Sequence, residues 1–540
     1  MNPRTWDRRS MPLIDGADED FITSFMGGTP DLAHARPKKL DATNVAIAKD
    51  NSRQIVGSVD TTFTGPIQSV TNNYASSWSQ PSVEDLQRQK YRHILEWLSP
   101  RPHDHRTTLK SELSKRLDGT GAWFFESGKY LKWLSGSEPS LWLIGGVGTG
   151  KTVLCSSVIS SLIIATKEGH FSSSDVFICF FFFSFQDNTR QSLLQLLKVI
   201  LGQLCKPSLI PKPLESLYER CQEMYPPDEP SEEELRETLI ETLRINCTKT
   251  VSMESEVAKD VFILIDALDE VPQNQTDSVT ALLQDLNQLG LPSLRILCTS
   301  RYQPDIDLAL SKPVRWQQQD MKKSCIAQDI ERFVLKALSS SRLRSLSQQV
   351  KIDIVEGAAR QGVGMFRLAA LKVGILKELP LRGREDVAQA LSTLPATLHE
   401  TYTHMLLNIP DTIQKVALSA LKWMVAAKRP LFIEEVLDAA YIRTSSPLSE
   451  KQHDNRCPAS DLVQVLRALA TVEPRVKDYE NIPAKHHTIM LSHNSVQEFL
   501  TGTEIGNTRA KSFAFSIDAA NDAIGRGCII SQSTHFWNTP

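Results

Sequence analysis

The sequence has few cysteines, no long apolar run and no excess of charge of one sign. Its nine cysteines are scattered along 540 residues without any CxxC pair, which argues against a disulfide framework or a zinc site and indicates a reducing compartment. The most apolar run, Val176 to Phe183, has eight residues, whereas a membrane-spanning helix needs about 20. The net charge of −3 gives no general reason to expect nucleic acid or an anionic membrane as a partner.

Two further features are missing. The first 20 residues contain no apolar core segment of the kind that a secretory signal requires, and no repeat with a period of 20 to 50 residues is present. We therefore expect a soluble, cytoplasmic protein without a transmembrane segment.

Composition and periodicity divide the chain into six segments. Short apolar strands alternate with helices between about 140 and 300, which predicts a parallel sheet with helices on both faces. After Tyr302 the pattern becomes helical, with one continuous helical pattern from 349 to 376. The predicted segments are a disordered tail (1–80), a helical lead-in (81–135), an α/β domain (136–305), a helical domain (306–395), a further block of helices with one strand (396–505) and a carboxy-terminal segment (506–540). The family resemblance given below makes 396–505 a winged-helix-like domain.

The sequence LIGGVGTGKTVL places glycines directly after an apolar strand and before a helix. Its central residues match GxxxxGK[ST], the phosphate-binding or Walker A pattern. Glycines let successive backbone N–H groups face one point, and the following helix adds the positive end of its dipole. Lys151 is expected to reach the β- and γ-phosphates, and the Thr152 hydroxyl to ligate Mg²⁺. The loop consists of Gly145, Gly146, Val147, Gly148, Thr149, Gly150, Lys151 and Thr152.

A second apolar strand, VFILI, ends in acidic residues. Asp266 follows at the strand's carboxyl end, where parallel sheets bind ligands, and is expected to hold Mg²⁺ directly or through water. Asp269 or Glu270 could polarise a water molecule for attack on the γ-phosphate. The alternative is a solvated acidic loop after a strand.

A third strand, LRILC, leads into Arg301. An arginine at a strand end near a γ-phosphate could sense that phosphate, because its guanidinium is always charged and can bind two oxygens. The alternative is a surface arginine that caps the next segment.

Together, GGVGTGKT, ILIDALDE and LCTSR resemble the NACHT branch of the STAND signalling NTPases. The doubled acidic ending after a small residue distinguishes that branch from ordinary P-loop ATPases. The stretches LPATLHETY and LSHNSVQEFL are similar to parts of fungal NOD-like receptors with a nephrocystin-like NACHT module. The resemblance covers about residues 85–525 and makes 136–305 a NACHT domain.

The resemblance implies further site residues. Gly119, Thr120 and Gly121 would lie near the adenine, and His493 would touch the β-phosphate of bound ADP and hold the inactive form. From the residue alone, a histidine before a helix is more often a cap or a core residue. Family members usually carry ankyrin, WD or TPR repeats after the winged helix, and this sequence has none before Pro540.

Residues 52–78 form a β-prone stretch with no net charge within the polar tail. Such stretches can stack as cross-β zippers, and some fungal relatives carry amyloid-forming signalling motifs at this end. The alternative, favoured by Pro66, is an ordinary disordered linker.

Three functions fit these features. The first is a switch controlled by ATP, ADP and Mg²⁺ that self-associates on activation and signals to an effector protein, with a slow NTPase activity. The second is a turnover ATPase or nucleic-acid remodeller, against which the lack of a basic patch interleaved with aromatic residues counts. The third is a scaffold that keeps its nucleotide unhydrolysed.

Overall fold

The structure is a computed structural model of the full chain. It describes ten stretches: residues 82–98, 105–171, 176–248, 259–312, 314–339, 342–362, 364–379, 384–441, 457–474 and 487–537. Residues 1–81, with the candidate motif at 52–78, and residues 442–456 lie outside the described residues. Among the helices described, none is both long and apolar enough to cross a bilayer.

A five-stranded parallel sheet forms the centre of the first half of the chain. Its strand order is β2-β3-β4-β1-β5, so that β4 separates the strand before the glycine loop from the strand that ends in Asp266. The predicted parallel sheet is therefore confirmed. The strands are β1 (Ser140–Ile144), β2 (Val176–Phe182), β3 (Asp260–Asp266), β4 (Leu294–Ser300) and β5 (Gln317–Asp320).

Alternating side chains send the sheet's apolar residues into two separate cores. Along β3, Val261, Ile263 and Ile265 join one core, whereas Phe262 and Leu264 join the core on the other face. This alternation is the two-residue period of a strand buried on both sides. Helices cover both faces: α1 (Val83–Leu98), α2 (His105–Ser114), α3 (Ala122–Phe125), α4 (Gly128–Ser135), α5 (Lys151–Lys167), α6 (Leu193–Gln203), α7 (Lys212–Glu223), α8 (Glu232–Cys247), α9 (Gln273–Gln288) and α10 (Pro304–Ser311).

The fifth strand departs from the prediction that the chain is helical after Tyr302. β5 consists of Gln317, Gln318, Gln319 and Asp320 and has no apolar residue. It pairs with β1 at the edge of the sheet, where its side chains stay partly in contact with water. A polar edge strand of this kind carries neither of the hydrophobic periods on which a strand is recognised.

A helical region follows, and its predicted continuous segment from 349 to 376 is wrong. The segment is two helices that end at Gly362 and begin at Phe366. Gly364 lies between them with φ +78°, a left-handed conformation that ends a right-handed helix. The helices of this region are α11 (Lys323–Ser339), α12 (Gln348–Gly362), α13 (Phe366–Glu378) and α14 (Arg384–Thr393).

The last part of the described chain packs helices around a small antiparallel sheet of order β6-β8-β7. It has its own apolar core, and we call residues 397–537 the carboxy-terminal unit. Its assignment as a winged helix remains a prediction. The elements are α15 (Leu398–Leu407), α16 (Gln414–Ala426), β6 (Leu431–Phe432), α17 (Ile433–Tyr441), α18 (Ala459–Leu466), β7 (Ala470–Pro474), β8 (His487–Leu491), α19 (Asn494–Thr501) and α20 (Ile517–Trp537).

Candidate nucleotide-binding site

The glycine loop, residues 145–152, joins the buried strand β1 to helix α5. Gly148 and Gly150 have φ of +65° and +90°, a backbone region that L-residues with a side chain rarely adopt. Gly150 is the N-cap of α5, and no side chain caps that helix. The first-turn N–H groups of α5 are therefore free of a side-chain cap, and together with the helix dipole they can receive an anion.

Lys151 is held at the same loop. Its ammonium Nζ donates to the carbonyl oxygens of Gly145 and Gly146, each at 2.9 Å. Burial lowers the pKa of Lys151, and the nearby carboxylates of Asp269 and Asp266 oppose that shift. Burial and the two carboxylates therefore act on the charge of Lys151 in opposite directions.

Asp266 lies at the carboxyl end of β3, with 2% of its surface exposed. Thr299 Oγ1 donates to its Oδ1 at 2.6 Å, and the Thr152 hydroxyl donates to the same carboxyl group. Burial raises the pKa of Asp266 to about 6, while the two hydroxyl donors act in the opposite direction. A carboxylate beside a threonine hydroxyl is an oxygen ligand set that fits Mg²⁺.

Arg301, at the end of β4, connects two parts of the molecule. Its backbone N–H donates to Asp269 Oδ1 at 2.9 Å, and its Nε lies 2.9 Å from Asp269 Oδ2. Its Nη1 donates at 2.7 Å to Glu498 on α19. Arg301 is thus not a solitary surface arginine, since it pairs one acidic residue of the site with one of the carboxy-terminal unit.

Glu270 also accepts a hydrogen bond within the site. Its Oε2 accepts the backbone N–H of Phe185 at 3.1 Å. Burial and the neighbouring Asp269 carboxylate raise the pKa of Glu270 to about 8. The two acidic residues that the sequence offers as activators of water therefore differ, because Asp269 is ion-paired and Glu270 favours its protonated form.

His493 immediately precedes α19 and is its N-cap. Its Nδ1 accepts the backbone N–H of Ser495 at 3.0 Å. Burial, Arg367 and Arg301 lower the pKa of His493 to about 3, so the ring is neutral near pH 7. Because Nδ1 accepts a hydrogen bond, the proton of the neutral ring is on Nε2, where it can be donated.

One cavity of about 590 Å³ collects most of these groups, and this volume suits a nucleotide. Gly148 to Thr152, Asp269, Glu270, Arg301 and His493 line it, as do Thr120 and Gly121. Asp266 lies behind Thr152, and Gly145, Gly146 and Val147 are outside the lining. Gly119 is also outside it, and its carbonyl accepts a hydrogen bond from Arg332.

The sequence did not reveal two lining residues, Arg367 and Asp329. Arg367, near the start of α13, donates its backbone N–H to the carbonyl of Gly148 at 3.3 Å. Its guanidinium donates to Tyr402 Oη at 2.7 Å, to Ser492 Oγ at 2.7 Å and to the Ala468 carbonyl at 3.2 Å. No local motif marks these partners, which are far apart in sequence.

Comparison with known proteins identifies the domain that carries the loop. Residues 119–301 match the family model described as Nephrocystin 3, N-terminal. These residues form a NACHT-like NTPase domain. Over 176 residues the chain is also 25% identical to azaphilone pigments biosynthesis cluster protein L of Monascus ruber. That match covers 33% of this chain and 36% of the relative, so the chain spans about a third of the length of that curated relative.

Solved structures similar to the whole chain are distant. The Drosophila origin recognition complex bound to DNA is 15% identical with a TM-score of 0.32, covering 85% of this chain and 99% of that one. ORC2 of Aeropyrum pernix in its ADPNP–ADP complexes is 11% identical with a TM-score of 0.30, covering 82% and 98%. Both TM-scores are below 0.5, so neither likeness supports a conclusion about the function of this chain. The assignment of a NACHT-like domain is based on the sheet order, the glycine loop and the matched family model.

Proposed function

We propose that the protein is a signalling switch controlled by ATP and ADP, in which the carboxy-terminal unit closes over the nucleotide site. The observation that carries this proposal is that Arg301 and Arg367 each contact both sides. Arg301 joins Asp269 to Glu498, and Arg367 joins the Gly148 carbonyl to Ser492. Both arginines line the cavity, so contacts that hold the closed form reach the site that would bind the phosphates.

Arg301 is the group through which a third phosphate would act. In the closed form its guanidinium is shared between two carboxylates, and the pair with Glu498 is partly exposed, at 22% for Arg301 and 44% for Glu498. Exposed pairs of this kind contribute only about 0–1 kcal/mol. A γ-phosphate offers Arg301 a doubly charged group that accepts two parallel hydrogen bonds, so ATP would draw Arg301 away from Glu498.

His493 would favour ADP in the closed form. Its neutral ring carries the proton on Nε2, which suits a hydrogen bond to a phosphate oxygen. Thr152 and Asp266 would hold Mg²⁺, which neutralises phosphate charge when bound. Shifting the closed and open populations from 1:99 to 99:1 needs about 5.5 kcal/mol of differential binding, which contacts to one phosphate and Mg²⁺ can supply.

Hydrolysis would be slow in the closed form. Asp269 is ion-paired to Arg301, and a raised pKa leaves Glu270 mostly protonated near pH 7, so neither is a free general base. Opening would release Asp269 by moving Arg301. The alternatives, a turnover ATPase or a scaffold with unhydrolysed nucleotide, are distinguished by rate: steady hydrolysis above about 1 s⁻¹ favours the first, and nucleotide retained unchanged favours the second.

The resemblance to fungal NOD-like receptors adds the biological setting to this proposal. It implies a cytoplasmic protein that forms homo-oligomers when activated and passes the signal to an effector protein, as in innate immunity or incompatibility reactions. The nucleotide is then the controlling ligand rather than a substrate to be consumed.

The proposal is tested by measuring particle mass with Mg²⁺ and either ADP or a slowly hydrolysed ATP analogue, after identifying the nucleotide that co-purifies. We expect ADP to co-purify, a monomer with ADP and a larger particle with the analogue. Lys151→Ala should stay monomeric in both. Equal masses for the wild type under both conditions, or identical assembly by Lys151→Ala, would contradict the switch.

A further inference from the structure

Part of the cavity lining is a mostly apolar wall formed by α11 and α13. Ile326, Asp329 and Phe333 are spaced by three and four residues on α11 and all line the cavity, because residues at that spacing share one helix face. Phe333 meets Phe366 edge to face, with ring centroids 6.2 Å apart. A Cβ added at Gly150 would lie 3.5 Å from the Phe366 ring, so this wall adjoins the glycine loop.

A single buried acid interrupts that wall. Asp329 is 5% exposed, and its Oδ2 accepts the backbone N–H of Gly121 at 2.9 Å and the indole N–H of Trp123 at 3.2 Å. None of the described residues donates a hydrogen bond to the other oxygen of Asp329, Oδ1. One oxygen therefore fixes the carboxylate to the lead-in, and the other remains available to a ligand in the cavity that Asp329 lines.

We propose that Asp329 recognises the nucleobase and that the base is a 6-aminopurine. This inference rests on the proposed function, because it assigns a role at the same nucleotide site. A flat ring fits a wall of aromatic and aliphatic side chains adjoining the phosphate loop. An ionised carboxylate only accepts hydrogen bonds, so the edge of the base that meets it must donate.

The number of carboxylate oxygens of Asp329 that can still accept a hydrogen bond determines whether adenine or guanine binds better. Guanine presents two adjacent N–H donors, which pair best with both oxygens of one carboxylate. In Asp329 the Oδ2 atom already accepts from Gly121 and Trp123, which leaves one acceptor. The exocyclic amine of adenine needs only one.

The test uses the full chain and measures affinities for ATP, ITP and GTP with Mg²⁺ by displacement of a fluorescent ADP analogue. Asp329→Asn keeps a carbonyl oxygen for Gly121 and Trp123 but turns an N–H donor toward the cavity. We expect ATP to bind about ten- to a hundredfold more weakly to this variant. ITP should bind more tightly than to the wild type, because its 6-oxo group accepts a hydrogen bond. Glu331→Gln, on the exposed side of the same helix, is the matched control and should leave the affinities for ATP and ITP unchanged.

A second measurement needs no variant. Purine riboside triphosphate lacks the 6-amine, and the wild type should bind it about tenfold or more weakly than ATP. Equal binding of the two would overturn the inference, as would a parallel loss of ATP and ITP in Asp329→Asn, which would make Asp329 only a support for the lead-in. A wild-type preference for GTP would overturn it and leave the switch intact, whereas no nucleotide binding at all would refute both proposals.

Discussion

Two parts of the cavity lining, the glycine loop and the apolar wall of α11 and α13, are built by different means. In the glycine loop, eight consecutive residues place backbone amides, one ammonium and a helix start around one point, and the strand ends supply the acids. In the apolar wall, Asp329, Trp123 and Phe366 come from three separate segments and line one cavity only after the lead-in, α11 and α13 have packed. The first part can be altered by one local change, whereas the second depends on the docking of whole elements.

Because of this contrast, substitutions in the glycine loop that leave the contact with Arg367 intact should affect ligand binding more than folding. Arg367 contacts both the glycine loop and the carboxy-terminal unit. Its backbone N–H donates a hydrogen bond to the loop, and its guanidinium donates hydrogen bonds to the carboxy-terminal unit. Four substitutions, taken from the largest expected effect to the smallest, separate binding from docking.

The largest effect is expected in the glycine loop from Lys151→Ala. Removing the ammonium takes away the only lysine of the glycine loop, so ATP affinity measured by calorimetry should fall more than about a hundredfold. The melting temperature should change little, because the hydrogen bonds that the Lys151 ammonium donates within the described part of the chain go to two loop carbonyls. Lys167→Ala, exposed at the far end of α5, is the matched control; comparable losses in the two variants would refute the site.

Arg367→Ala should loosen docking more than it weakens binding. It removes three hydrogen bonds from a charged donor to Tyr402, Ser492 and Ala468, so we expect a shift of about 2 kcal/mol toward the open form. Hydrogen exchange over residues 487–501 would then be faster by about 30-fold. Arg367→Lys keeps the charge without the planar guanidinium, so its exchange rate should lie between those of the wild type and Arg367→Ala. An unchanged exchange rate in Arg367→Ala would show that this contact does not hold the carboxy-terminal unit.

Gly148→Ala tests whether the loop itself supports docking. Gly148 has φ +65°, and an added Cβ would lie 2.8 Å from the Arg367 Cβ, so the free energy of unfolding should fall by about 2 kcal/mol. At Gly146 the nearest atom would be 3.7 Å away, and Gly146→Ala should change the stability of the free protein by less than about 0.5 kcal/mol. Similar melting temperatures for the two variants would contradict the close approach of Arg367.

The smallest effect concerns His493 and pH. Its pKa of about 3 in the folded protein is below the ordinary value of 6.5. Stability from the neutral ring is therefore present above pH 6.5 and is lost as pH falls toward 3. Between pH 7 and 5.5 the wild type should lose about 1 kcal/mol more than His493→Gln. The raised pKa values of Asp266 and Glu270 change stability with pH in the opposite sense, but they are common to both proteins. If the free energy of unfolding depended on pH identically in the two proteins, His493 would be exposed to solvent.

Local chemistry explains which features were predictable. The strands of the sheet are continuous apolar runs, and the phosphate loop is a contiguous pattern whose residue types the chemistry dictates, so the fold and that part of the site follow from adjacent residues. Asp329 and Arg367 act through partners hundreds or tens of residues away, and neither β5 nor the break at Gly364 leaves a hydrophobic period. Their roles depend on tertiary packing, which no single stretch of sequence encodes.

The most direct test of the closed switch is hydrogen exchange of α19 in the wild type, with Mg²⁺ and either ADP or a slowly hydrolysed ATP analogue. If Arg301 exchanges Glu498 for a γ-phosphate, residues 494–501 should be protected with ADP and exchange at least tenfold faster with the analogue, while β3 stays protected in both. Equal protection of α19 with the two nucleotides, under conditions in which both are shown to be bound, would contradict the account.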